Sequence, residues 1–97
     1  MKNNKEQLKL RLEDIHDDVL YLRPGYGERN LSSALRVFDT IEHVLRVYNV
    51  KIKDKTLISL KKKIKSSSVS SSTLIDDIIN YYDIIAKKLG LYEEYDA

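Results

Sequence analysis

The stretch Arg46-Val47-Tyr48-Asn49-Val50-Lys51-Ile52-Lys53-Asp54-Lys55 decides how this chain is read. Within it, apolar Tyr48, Val50 and Ile52 alternate with Asn49, Lys51 and Lys53. Alternation with β-branched residues on one side predicts a short strand over 47–53, one face buried and the other wet. The competing reading makes the same residues a loop at the frayed end of a helix. A lone strand needs a second copy to pair with, so the first reading describes a dimer and the second a helical bundle.

The flanking segments read more simply. Downstream, Leu57, Leu60 and Ile64 recur at helical spacing with Lys61, Lys62 and Lys63 largely outward, which predicts a helix over about 55–66. Six serines around Val69 interrupt it. Serine side chains compete for backbone hydrogen bonds, so the cluster predicts a turn and then a helix N-cap at Ser70 or Ser72. The last helix, about 71–89, is apolar at Leu74, Ile75, Ile78, Ile79, Tyr82, Ile85, Ala86 and Leu89. That face is too wide for one neighbour and has to be buried on two sides. Gly90 supplies the stop, and 91–97 read as a tail.

Upstream, Leu8, Leu12, Ile15, Val19 and Leu22 form one stripe of a helix over about 5–22, ended by Arg23-Pro24-Gly25-Tyr26-Gly27. A second helix, about 31–46, starts at Asn30 or Ser32 as N-cap and carries Leu31, Leu35, Phe38, Ile41, Leu45 and Tyr48 on one face. The short connection makes 1–45 an antiparallel hairpin whose stripes must be buried. The fold expected is mainly α, four helices in a single domain over 1–97, with a short strand that exists only in a dimer. The alternative is a four-helix antiparallel bundle.

Composition bounds the function. Hydrophobic residues at 42% and charged residues at 33% describe a folded chain rather than a disordered one. A chain of 97 residues buries a modest share of its surface, so dimerisation would help it. With no cysteine, disulfides and thiolate metal sites are excluded. Neither a signal-peptide pattern nor an apolar run of the ~20 residues needed to span a bilayer is present, so a cytoplasmic location is expected.

The net charge of +2 hides a segregation. Residues 1–45 hold seven Lys/Arg and eight Asp/Glu, and residues 76–97 hold two lysines and six acids. Between them, Arg46, Lys51, Lys53, Lys55, Lys61, Lys62, Lys63 and Lys65 face Asp54 alone. Such a block is either a solvated helix face or an electrostatic footprint for phosphates.

The order of strand, Leu/Lys helix, serine turn at Ser68-Val69-Ser70-Ser71-Ser72, and a helix with Leu74-Ile75, Ile78-Ile79 and Tyr82 resembles the ribbon-helix-helix family of small dimeric DNA-binding proteins. The resemblance covers about 40 of the 97 residues. Ser68 stands where that family usually carries glycine, and a helical hairpin precedes the strand. It implies that two chains pair their strands into a ribbon that enters the DNA major groove, where base edges are distinguishable. Asn49, Lys51 and Lys53 would then contact bases. Lys61 and Lys62, with the hydroxyls of Ser70, Ser71 and Ser72 at a helix N-terminus, would contact phosphates. The function implied is a transcriptional regulator, antitoxin or plasmid- or phage-maintenance protein, acting as a homodimer, with any protein partner docking on the N-terminal hairpin.

Other constellations are sparser. His16 beside Asp17 or Glu13 is a thin basis for a metal site, and lone helical histidines are more often surface residues. Arg36 and His43, with six residues between them, are spaced as in helical ribonucleases of the HEPN family, but Val37 follows the arginine where that family carries a polar residue. Adjacent acids at Asp17-Asp18 and Asp76-Asp77 diverge by about 100° on a helix and make no acid–base pair. Tyr26, Tyr92 and Tyr95 lie off the apolar stripes and are open to a partner. Neither an enzyme nor a cofactor is expected. The rival function is a helical bundle that binds a protein, of the bacteriocin-immunity or phage- or plasmid-encoded inhibitor kind.

Overall fold

The computed structural model describes residues 4–25, 29–66 and 70–90. Four helices follow one another: α1 (Asn4–Leu22), α2 (Leu31–Val47), α3 (Lys55–Ser66) and α4 (Ser71–Lys88). Their starts are chemical. Asn30 accepts the Ser33 N–H at 3.3 Å to cap α2, and Ser70 accepts the Thr73 N–H at 3.3 Å to cap α4. Asp54 accepts the Leu57 N–H at 3.0 Å ahead of α3. Each cap satisfies an amide that the first helical turn leaves without a partner. The serine turn's Ser68 and Val69, like Tyr26, Tyr92 and Tyr95, lie outside the described residues.

Helix α4 is the centre. Leu74, Ile75, Ile78, Ile79, Tyr81, Tyr82, Ile85 and Ala86 are all buried along it, because α1, α2 and α3 each pack on a different side. Helix α2 also packs on α1, whereas α3 packs on α4 alone. The α1 stripe of Leu8, Leu12, Ile15, Val19 and Leu22 is buried as the spacing predicts, and all four helices contribute to one apolar core. The hairpin is tied down at its bend. Arg29 Nε donates to the Leu22 carbonyl at 3.0 Å, the Arg29 guanidinium pairs with Asp76, and Arg23 pairs with Asp83 at 2.7 Å.

Two expectations change. The buried side of α2 is Ala34, Val37, Phe38, Ile41 and Val44, while Leu35 is 37% exposed. Helix α2 lies between α1 and α4, and its buried arc runs from Phe38 through Ala34 and Ile41 to Val44, leaving Leu35 outside it. The second concerns 47–53. No strand occurs among the described residues. Val47 is the last residue of α2, and Asn49 adopts a left-handed φ of 54°. The Asn49 N–H donates to the Arg46 carbonyl at 3.1 Å and the Val50 N–H to the Leu45 carbonyl at 2.8 Å. This is a Schellman cap, with asparagine in the left-handed position that otherwise calls for glycine. The alternation survives in another form: Tyr48, Val50 and Ile52 pack against the chain's own core, and Asn49, Lys51 and Lys53 are exposed.

Candidate functional site

The cap and the linker after it turn the chain from α2 into α3 and lay out the basic residues as a strip. Arg46 leaves the last turn of α2, Lys51 and Lys53 follow on the linker, and Lys55, Lys62, Lys63 and Lys65 project from α3. All seven are exposed, and none forms an ion pair among the described residues. Four of these like charges, Lys55, Lys62, Lys63 and Lys65, sit on a helix only about 18 Å long at 1.5 Å per residue. The two charge partners nearby are already engaged. Lys61 Nζ lies 3.1 Å from Glu42 Oε2, and Asp54 Oδ2 lies 3.3 Å from Lys88 Nζ. The amide of Leu57, with Lys88 beside it, holds the Asp54 carboxyl below its ordinary value of 3.8.

The sequence-predicted contacts therefore divide. Asn49, Lys51, Lys53 and Lys62 are exposed and open to a ligand; Lys61 is half-buried and committed to Glu42. Ser70, Ser71 and Ser72 are exposed at the start of α4, the Ser70 hydroxyl donating to Thr73 Oγ1 at 3.0 Å. In one chain, α3 separates this serine turn from the linker lysines by its whole length, so the two sets do not converge on one point.

Sequence reasoning missed the feature that α2 and α3, though both pack near α4, do not pack on each other. Between them lies a cleft of about 530 Å³. Its floor is Tyr81 of α4, buried and tilted against Phe38 with ring centroids 5.2 Å apart. The Tyr81 hydroxyl donates to Glu42 Oε1 at 2.5 Å. Burial, together with this acceptor carboxylate, pushes the hydroxyl far above the ordinary tyrosine value, so Tyr81 stays a neutral donor. Glu42 thus holds Tyr81 with one oxygen and Lys61 with the other, linking α2 to α4 and α3. Leu45, Val50, Ile52, Leu57 and Ile58 form apolar walls, and Arg46, Lys51 and Lys65 stand at the margins. The signals that the sequence offers here are Glu42 beside the apolar Phe38, Ile41 and Leu45, and Ile58 off the Leu57, Leu60 and Ile64 stripe, but neither fixes which helices stay apart.

Elsewhere, His16 stacks on Tyr82 with ring centroids 6.2 Å apart, and no group of three or more His, Asp or Glu side chains among the described residues is placed to hold a metal. Arg36 and His43 are both exposed on α2. Asp77 is buried at 7% exposure, and its Oδ2 has no hydrogen-bond partner among the described residues. No helix of the described residues is long and apolar enough to cross a membrane. Against protein-family models, curated proteins and solved structures, the chain gives no match.

Proposed function

We propose that this protein is a small non-enzymatic DNA-binding protein of the cytoplasm, of the regulator, antitoxin or mobile-element maintenance kind, that grips the phosphate backbone along the strip from Arg46 to Lys65. The observation that carries the reading is that seven of the eight cations in this strip are exposed without an ion pair among the described residues, while Lys61 alone is neutralised by Glu42. Unpaired like charges that follow one another from the end of α2 through the linker and along α3 repel one another; a polyanion neutralises them and releases its own condensed counterions on binding.

In its dimeric form, this reading pairs residues 47–53 of two chains as a ribbon, with Asn49, Lys51 and Lys53 turned to the bases. Forming that ribbon requires Asn49 to leave its left-handed conformation and Val50 to give up its bond to Leu45. A gel-shift series on random-sequence duplex DNA at two salt concentrations tests backbone binding, and light scattering on the same samples tests the dimer. Binding that weakens steeply with salt is the expected result. Absence of salt-sensitive binding at micromolar protein overturns it and favours the second reading, a protein-binding helical bundle of the immunity or inhibitor kind, for which the open α2–α3 cleft speaks.

A further inference from the structure

We infer that the cleft between α2 and α3 is a docking site for an acidic, amphipathic segment of another protein. Its walls are aliphatic, made by Leu45, Val50, Ile52, Leu57 and Ile58, and Ile58 stays 53% exposed at its mouth. Aliphatic walls around an unfilled volume of about 530 Å³ accept apolar side chains in place of water. The margins supply the sign of the partner's charge. Arg46, Lys51 and Lys65 border the cleft without an ion pair of their own among the described residues, and the Glu42 carboxylate is spent on Tyr81 and Lys61. A segment that presents leucine-like anchors with carboxylates beside them satisfies both features at once, in the manner of a helix laid into a groove.

Nucleic acid fits this cleft poorly, although the outer strip suits it. Single-stranded nucleic acid binds on exposed aromatic faces, and the aromatic ring lining this cleft, Tyr81, is 2% exposed and packed against Phe38. The cleft and the outer strip share Arg46, Lys51 and Lys65 but differ at other residues. Lys62 and Lys63 belong to the strip and do not line the cleft; Ile58 lines the cleft and carries no charge.

The experiment uses the full chain and a labelled synthetic peptide with leucines at i, i+3 or i+4, and i+7 and glutamates beside them, along with a counterpart in which every glutamate is lysine. The expected result is micromolar binding of the acidic peptide alone, with amide shift changes concentrated at Val50, Ile52 and Ile58. Ile58→Asp or Lys65→Glu is expected to weaken it about tenfold, roughly 1.4 kcal/mol. Lys62→Ala and Lys63→Ala are expected to leave it unchanged. Both substituted cleft positions are exposed, so helicity by circular dichroism is expected to match the parent. Equal binding of both peptides, no binding of the acidic one, or shift changes outside the cleft would each overturn the inference. So would an oligonucleotide that moves the same cleft amides, or concentration-dependent self-association that occupies the cleft with a second copy.

Discussion

Tyr82 of α4 donates its hydroxyl hydrogen to the backbone carbonyl of Leu12 in α1 at 2.7 Å, in a site closed to solvent. The bond joins residues 70 positions apart and fixes the rotation of the first helix against the last. Tyr82→Phe removes the donor without opening a cavity. Its expected cost is about 0.5–1.5 kcal/mol, the usual net worth of one buried hydrogen bond. A urea titration checks it, and the midpoint is expected to fall with the slope unchanged.

Asp77 presents the opposite case. A buried carboxylate oxygen without a partner among the described residues costs free energy, whereas a small apolar replacement does not. Asp77→Ala also places a stronger helix former within α4. The variant is expected to be more stable than the parent by about 1 kcal/mol, read as a raised thermal midpoint.

Asp54 sets an acid limit on α3. Its folded-state pKa lies below the ordinary 3.8, so the stability it contributes is present above that pH and is lost as pH falls through the lowered value. Asp54→Asn keeps an acceptor for the Leu57 amide but ends the attraction to Lys88. The thermal midpoints of parent and variant are expected to differ near neutrality and to converge below about pH 3.8, when measured across an acid series.

The basic strip predicts unequal lysines. Losing Lys62 or Lys63 is expected to lower the slope of log binding constant against log salt by about 0.9 each. Lys61→Ala is expected to change it less, because Glu42 already holds that charge. Glu42→Gln frees Lys61 and is expected to steepen the slope. Gel shifts across a salt series distinguish the three.

Asn49 offers a clean separation of fold from recognition. Because its φ is 54°, Asn49→Gly retains the helix cap and removes only the amide side chain, whereas Asn49→Val is expected to cost about 1–2 kcal/mol. If Asn49 reads bases, the glycine variant stays folded and loses discrimination between DNA sequences. Unchanged discrimination would remove Asn49 from the interface.

Three of the four helices are written twice, in an apolar stripe and in a cap, with Asn30, Asp54 and Ser70 at their starts and Gly90 after α4, while α1 is legible from its stripe and from the Arg23-Pro24-Gly25 stop. The ambiguity at 47–53 arose because alternation reports only which side chains face inward. Val50 and Ile52 turn inward just as a strand would place them, while the conformation of Asn49 depends on the hydrogen bonds of the preceding turn. Leu35 misled for a related reason. A helix wedged between two others buries the arc that fits the wedge, and hydropathy does not record where the neighbours stand. The cleft was least legible, since it is defined by a pair of helices whose backbones stay apart and that touch through the Glu42–Lys61 ion pair.

Helix α3 has one helical neighbour where α4 has three. A unit held by packing on one helix and by the Lys61–Glu42 ion pair opens without dismantling the rest, so the amides of Lys55–Ser66 are expected to exchange with deuterium through a sub-global event while α1, α2 and α4 remain closed. Both proposed ligands touch that detachable helix. Each would therefore slow its exchange in proportion to occupancy, which makes the protection of one twelve-residue segment a gauge of binding even where the partner has no name.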